Sequence, residues 1–222
     1  MSTKEHGFKA EVQQLLNLMV HSVYSDREVF LRELVSNAAD ALDKVRFIAL
    51  TDADLEATAQ DEPAIRISID TEAKCIVIED DGVGLSEQEA IENLGTIAHS
   101  GTKSFAEALQ EGESGDKPDL IGQFGIGFYS AFMVARQVIV ESKSARKGEP
   151  AVRWSSEGTG TYTLDPSERT HRGTRIEIHL RHDSDEFADA GKLRQIVKRY
   201  SNFVTWPIYV DEEQANSGKA LW

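Results

Sequence analysis

The chain has 222 residues, 38 of them acidic and 24 basic, and its formal net charge is −14 at pH 7. This acidity argues against a broad nucleic-acid-binding face, which would need clustered lysine and arginine. No segment approaches the roughly 20 apolar residues of a membrane-spanning helix, and the N-terminus lacks the apolar core of a signal peptide. A cytoplasmic domain is expected. The single cysteine, Cys75, excludes an internal disulfide and lies in an apolar run that predicts a buried thiol.

Two helices are predicted first in the chain. Residues 8–24 repeat apolar side chains at helical spacing, and a second helix is expected from Ser25 to Leu50, opened by a capping box of Ser25 and Glu28. The second helix has an apolar face, a charged outer face and a third, polar stripe. Because a helix turns about 100° per residue, that stripe collects four side chains, Glu33, Asn37, Asp40 and Lys44. A polar stripe beside a core is typical of the floor of a binding cavity.

A β-hairpin is predicted next, from strands over 64–70 and 74–80. Its second strand ends in Asp80-Asp81-Gly82-Val83-Gly84. An aspartate at the end of a buried strand can accept a hydrogen bond from an exocyclic amine, and the glycines allow backbone to approach a flat ring. A plain Asp-Gly turn is the alternative. Asp81 is expected to point to solvent. Ser86 and Glu89 then form a capping box for a helix that ends at Leu94.

The stretch from Gly95 to Gly122 is too long for a routine connection and predicts a lid. It is followed by a GxxGxG motif, Gly122 to Gly127, and an apolar helix. Free N–H groups at such a helix start suit phosphate, although glycines that serve only packing would give the same pattern. Neither a Walker A loop nor a dinucleotide fingerprint fits, because no Lys-Ser or Lys-Thr follows and no strand precedes.

The remaining chain predicts strands over 137–143, 151–156, 161–164, 174–180 and 206–210 and a helix over 193–204. Gly173-Thr174-Arg175, taken alone, is a strand start. This order favours an α+β fold, a two-layer sandwich with a mixed, mostly antiparallel sheet covered on one face by helices. One domain is expected over 1–222, cut from a longer protein, with 211–222 as a linker toward a further domain.

Together and in this order, these motifs resemble the GHKL superfamily of ATP-binding domains. The strings FLRELVSNAADALDK, ENLGTIAHSGTKSF and IGQFGIGFYSAF are similar to the N-terminal ATPase domain of the ninety-kilodalton heat-shock chaperone family, most like its bacterial HtpG type. The resemblance covers nearly the whole chain. It implies binding of ATP or ADP with Mg²⁺, and hydrolysis of ATP. It also implies a full-length homodimer whose nucleotide-driven lid closure serves client proteins and co-chaperones in protein folding under stress.

The resemblance also implies roles for individual residues. Glu33 would be the general base for the attacking water, and Asn37 would hold Mg²⁺. Asp80 would bind the adenine amine, with Thr174 acting through ordered water. The nucleoside pocket would be lined by Asp40, Ala41, Lys44, Gly84, Leu85 and Asn93. The phosphates would lie in the backbone amides of Gly122, Gln123, Phe124, Gly125, Ile126, Gly127 and Phe128. Alternatives remain: Glu33 could be salt-bridged to Arg32, and Leu85 and Phe128 could belong to the core.

His99 stands where the family usually has a phosphate-contacting lysine. A shorter, partly charged side chain predicts weaker or pH-dependent phosphate binding. The family also supplies an arginine from its middle domain, which is not in this chain, so slow hydrolysis is expected. Other functions within the superfamily are a histidine kinase, a DNA-acting ATPase and a nucleotide sensor without turnover.

Overall fold

The computed structural model describes residues 4–7, 26–50, 62–95 and 127–218. The strands in these ranges are β1 Lys4–Gly7, β2 Ile65–Asp70, β3 Cys75–Asp80, β4 Ala135–Lys143, β5 Val152–Ser156, β6 Thr161–Pro166, β7 Gly173–Leu180, β8 Ile208–Val210 and β9 Glu213–Gln214. The α-helices are α1 Val29–Ile48, α2 Glu87–Leu94 and α3 Ala190–Tyr200, and two 3₁₀ helices span Gly127–Met133 and His182–Phe187.

The nine strands form one sheet in the order β1-β6-β5-β4-β7-β3-β2-β8-β9. Neighbouring strands are antiparallel except β2 and β8, which are parallel. The hairpin of β2 and β3 is confirmed, with Asp70 opposite Cys75. The architecture is therefore the predicted α+β type with a mixed, mostly antiparallel sheet. Strands β1 and β9 were not predicted, and β9 falls within the stretch expected to be a linker.

The core lies between α1 and the sheet. Leu34 and Leu42 of α1 and Ile76 and Ile78 of β3 are almost completely buried in one apolar cluster. Because alternate residues of a strand point to the same face, the residue that follows these isoleucines on that face is Asp80. The apolar layer beneath α1 thus ends in a carboxylate. In the described ranges, no helix has the length and apolar character needed to cross a lipid bilayer.

Helix α1 begins at Val29, so the prediction of a start at Ser25 is wrong by four residues. The carboxylate of Glu28 accepts hydrogen bonds from Lys192 and Arg199 of α3 and caps no helix N–H group. Ser25 and the predicted helix over 8–24 lie outside the described residues. Glu28, which the local pattern predicted to form a capping box, therefore forms tertiary ion pairs instead.

Two further helix predictions need correction. Helix α3 spans Ala190–Tyr200, not 193–204, because the side chain of Asp189 accepts the Lys192 N–H at 2.7 Å and starts the helix earlier. The apolar helix after Gly127 is a 3₁₀ helix. There, the Ser130 hydroxyl donates to the Gly127 carbonyl at 2.5 Å, and such a bond competes with regular α-helical pairing. The capping box of α2 is confirmed.

At Gly173, the start of β7 passes close to the backbone at the end of β3. The φ of this glycine is +104°, and a Cβ there would lie 2.1 Å from the Asp80 carbonyl oxygen. We predict that Gly173→Ala lowers the free energy of unfolding by more than about 2 kcal/mol, measured by urea denaturation. Gly148→Ala is the control, since its φ is +82° but nothing lies within 4 Å of the added Cβ. Equal losses in the two variants would contradict this account of Gly173.

Candidate functional site

A cavity of about 670 Å³ lies between α1, α2, the first 3₁₀ helix and strands β3 and β7. This volume is within the range of roughly 300–1,000 Å³ that is usual for small-molecule sites. The predicted site residues that line it are Glu33, Asn37, Asp40, Ala41, Asp80, Gly84, Leu85, Asn93, Gly127, Phe128 and Thr174. These residues come from four separate stretches of the sequence, which therefore meet at one cavity.

Of the other predicted site residues, Lys44 is the one that the described ranges contain. Lys44 is exposed on α1 and is not among the lining residues. His99, Gly122, Gln123, Phe124, Gly125 and Ile126 lie outside the described residues, as does the predicted lid apart from Gly95. The GxxGxG motif is thus represented only by its last glycine, Gly127, and by the Phe128 that follows.

The cavity also has lining residues that the sequence analysis missed. Ser36 and Glu92 add polar groups beside two predicted residues, Asn37 and Asn93. An apolar floor is formed by Ile78, Val140 and Ile176. Strand alternation contains the signal for two of these, because Ile78 is two residues before Asp80 and Ile176 is two residues after Thr174.

Asp80 is the most strongly perturbed acid of the site. Its side chain is buried, and its Oδ1 accepts the Gly82 N–H at 2.8 Å. Burial raises the pKa of Asp80 from 3.8 to about 7; the Gly82 N–H opposes this rise and the charge of Asp81 adds to it. The β3–β7 register places Asp80 opposite Thr174, so both side chains lie on the same part of the cavity wall.

Asp81 does not point to solvent, so that prediction is wrong. It is 4% exposed, and its Oδ2 accepts hydrogen bonds from Arg66 Nη1 at 2.7 Å and from the Ala64 N–H at 3.2 Å. The arginine comes from the neighbouring strand β2, and its charge offsets the cost of burying this carboxylate. Of the two consecutive aspartates, Asp81 makes contacts that stabilise the fold, and Asp80 lines the cavity.

Glu33 combines burial with a contact to its neighbour. It is 6% exposed, and its Oε1 accepts hydrogen bonds from Nε and Nη2 of Arg32 at 2.9 and 2.7 Å. The ion pair with Arg32 that the sequence left as an alternative is therefore present. Its second oxygen, Oε2, faces Gly127, where an added Cβ would lie 2.8 Å away. Arg32 holds one carboxylate oxygen in place, and Gly127 leaves room beside the other.

Gly84 holds the loop that follows β3 close to β4. Its φ is +63°, and a Cβ there would lie 2.0 Å from the carbonyl oxygen of Lys143. Only glycine fits this combination of positive φ and close approach. The next residue, Leu85, donates its N–H to the Ser142 hydroxyl of β4 at 2.8 Å. This glycine therefore brings a cavity-lining loop against the sheet.

The described residues contain no group of three or more His, Cys, Asp or Glu side chains suited to a metal ion. A cation here would take one or two oxygen ligands from the protein and the rest from a ligand and water. That pattern is the usual one for Mg²⁺ bound with phosphates. The amide oxygen of Asn37, an exposed residue that lines the cavity one helical turn from Glu33, fits such a role.

The chain is similar both to a known protein family and to individual curated proteins. The model for histidine kinase-, DNA gyrase B- and HSP90-like ATPases matches residues 24–171. The chain belongs to this ATPase family. The match includes α1, β3 and the Asp80-to-Gly84 turn, which are the elements that build most of the cavity wall.

Individual relatives of this ATPase-family chain are similar over nearly its whole length. It is 53% identical to the chaperone protein HtpG of Chlorobium phaeovibrioides over 99% of the chain. It is 51% identical to HtpG of Chlorobium luteolum and 48% identical to HtpG of Gluconobacter oxydans, in both cases over 100% of the chain. The chain spans only 35–36% of the length of these relatives.

The raised pKa of Asp80 predicts a pH dependence of stability in this ATPase-family chain. Because its folded-state pKa of about 7 exceeds the ordinary value of 3.8, the folded state binds more protons between those values, and stability falls as pH rises through that window. Asp80→Asn removes the buried charge. We predict that the unfolding free energy of the variant, relative to the parent, increases from pH 5 to pH 8 in urea titrations.

Asp183→Asn is the matched control for this measurement. Although desolvation opposes it, hydrogen bonds from Ser184 and Arg27 lower the pKa of Asp183, so this acid stays ionised from pH 5 to 8. Its difference from the parent should be constant over that range. A constant or shrinking difference for Asp80→Asn would show that Asp80 is not a buried acid with a raised pKa.

Proposed function

We propose that this domain binds ATP and ADP in the cavity and hydrolyses ATP. The observation that supports the proposal most directly is that Asp80 at the end of β3 and Glu33 on α1 open onto the same cavity. Asp80 is then available to bind the adenine base, and Glu33 is available to activate the water that attacks the terminal phosphate. Membership of the ATPase family and the shared lining by Asn37 and Thr174 support the same assignment.

The adenine base would be recognised by Asp80. Its Oδ1 already accepts the Gly82 N–H, but a carboxylate has further lone pairs that can accept from the exocyclic amine of adenine. Thr174 stands opposite Asp80 and would add a hydroxyl contact through ordered water. The apolar floor of Ile78 and Ile176 gives the flat ring a surface to pack on.

The polyphosphate would extend along α1 toward Glu33. Asn37 would hold Mg²⁺, which when bound neutralises charge on the phosphate oxygens. Gly127 and Phe128 would present backbone amides to the phosphates, joined by residues 122–126. His99 stands in place of the family's lysine, and its shorter, partly charged side chain would make phosphate binding weaker or pH-dependent. The side chain of Lys44 is exposed, so it would have to turn toward the cavity to contact the nucleotide.

Glu33 would orient the attacking water and accept its proton. Its two hydrogen bonds from Arg32 restrain the carboxylate, so that Oε2 is held beside Gly127 and the cavity. A general base must lie within hydrogen-bond reach of the water that it activates, and a restrained carboxylate satisfies this at a small entropic cost. Catalysis would otherwise consist of positioning and charge stabilisation.

The longer protein would be a molecular chaperone of the HtpG type. Support comes from the relatives named above, of which this chain covers about a third. In that protein, ATP-driven closure and homodimerisation would be coupled to the folding of client proteins. Because an arginine from the rest of the protein would complete phosphate stabilisation, the domain alone should bind ATP and hydrolyse it slowly.

Asp80→Asn tests recognition of the base. Because the asparagine oxygen keeps the hydrogen bond from the Gly82 N–H, its NH2 group stands where the adenine amine needs an acceptor, so we expect ATP affinity to fall at least about 100-fold in calorimetric titrations. Asp43→Asn is the control, because Asp43 is exposed and pairs with Arg46 on the outer side of α1. If Asp80→Asn bound ATP as tightly as the parent, the proposed site would be wrong.

Glu33→Gln separates turnover from binding. The amide keeps the size of the side chain but is a poor proton acceptor. We expect ATP affinity within a few-fold of the parent, and ATP hydrolysis by the full-length protein lowered by a factor of about 10²–10⁴. Glu72→Gln, at an exposed position in the β2–β3 turn, should leave both unchanged. Parental turnover in Glu33→Gln would exclude Glu33 as the base.

A further inference from the structure

Ser142 on β4 is a completely buried hydroxyl that joins three elements behind the cavity. Its Oγ lies 2.8 Å from the Leu85 N, 3.2 Å from the Gly173 carbonyl oxygen and 3.0 Å from Thr174 Oγ1. Ser142 does not itself line the cavity, but Leu85 and Thr174 do. Any effect of Ser142 on a ligand must therefore pass through these two neighbours.

The three contacts determine where the hydroxyl protons go. A serine hydroxyl has one proton and two lone pairs. The Leu85 N–H can only donate and the Gly173 carbonyl can only accept, so Ser142 gives its proton to Gly173 and one lone pair to Leu85. The remaining lone pair then accepts the proton of Thr174. This is the assignment that satisfies all three contacts at once.

Thr174 consequently offers only lone pairs to the cavity. Asp80, opposite Thr174 in the β3–β7 register, is an acceptor too when it is ionised. Two neighbouring acceptors suit an amine, which has two protons to donate directly or through water. A carbonyl oxygen in the same place would meet lone pairs from both sides and leave buried polar groups unpaired.

We propose that Ser142 is a positioning residue for base selection: by taking the proton of Thr174, it makes this part of the cavity accept a 6-amino purine and reject a 6-keto purine. The inference rests on the proposed binding of ATP and adds a residue that does not touch the ligand. Without Ser142, the Thr174 hydroxyl is free to rotate and to donate its proton into the cavity.

The test is the ratio of dissociation constants for ITP and ATP, measured by calorimetry at pH 8. ITP carries a carbonyl oxygen where ATP carries the amine. At this pH Asp80, with its pKa of about 7, is mostly ionised. We expect Ser142→Ala to lower the ITP-to-ATP ratio about tenfold, the effect of gaining one hydrogen bond to the 6-keto oxygen.

Two further variants control for damage to the fold. Ser142→Thr keeps the hydroxyl and should keep the parental ratio. Ser144→Ala removes another buried hydroxyl, two residues along, whose described hydrogen bond is with the Arg146 N–H at 3.3 Å and not with Thr174. It should also leave the ratio unchanged. A purely structural role of Ser142 would weaken ATP and ITP equally, and that outcome would overturn the proposal.

Thr174→Val supplies a second arm in case Ser142→Ala does not fold. If Thr174 is an acceptor, its removal weakens ATP and leaves ITP no weaker, so the ratio falls. Equal weakening of both nucleotides would show Thr174 donating to the 6-keto group and would overturn the inference.

Failure of the parent to bind ATP would instead refute the proposed function, whereas tight ATP binding with an unmoved ratio in Ser142→Ala refutes this inference alone.

Discussion

The site depends on the close contact between α1 and the turn that follows β3. The Val83 N–H donates to the Ala41 carbonyl of α1 at 3.1 Å. At Gly82, an added Cβ would lie 2.6 Å from the Cβ of Ala41, so the turn and the helix touch without an intervening side chain. This contact sets how far the polar stripe of α1 stands from Asp80, and hence the width of the cavity between them.

The second constraint is how a chain of net charge −14 forms a site for an anion. Two of its buried acids are compensated by arginine at 2.7 Å, Glu33 by Arg32 and Asp81 by Arg66. The ionised form of Asp80 is instead stabilised mainly by the main-chain N–H of Gly82, with smaller contributions from the charge of Arg169 and the N–H of Thr174. Backbone dipoles hold a carboxylate in position but neutralise it less than an arginine does. The Asp80 carboxylate can therefore accept a further hydrogen bond from a donor group, and this suits ligand recognition.

Local patterns predicted the parts of this molecule that depend on local interactions. The four-three-four spacing identified the stripe of α1, strand alternation identified the hairpin and placed Asp80 at its end, and the Ser86–Glu89 pair identified the start of α2. These features follow from helix and strand periods and from contacts within four residues. They identified Glu33, Asn37, Asp40 and Asp80, whereas the resemblance to a known family was needed to assign five other lining residues, namely Ala41, Leu85, Asn93, Phe128 and Thr174.

The features that escaped sequence reasoning depend on partners far away in the chain. Glu28 does not form the predicted capping box, because it pairs with basic residues 164 and 171 positions away. Helix α1 begins later in the chain than predicted. The Arg66–Asp81 pair joins neighbouring strands, so the second acid of an Asp-Asp pair looked like a surface residue. Ser142 carries no motif, and its importance appears only when β4, β7 and the loop after β3 are brought together.

The central claim is that one cavity holds the base at Asp80 and the terminal phosphate at Glu33. A crystal structure of the domain with Mg²⁺ and a non-hydrolysable ATP analogue tests this most directly. We expect the exocyclic amine within hydrogen-bond distance of the Asp80 carboxylate and the terminal phosphate on the Glu33 side of α1. A nucleotide bound outside the cavity, or bound with its base toward Glu33, would contradict it.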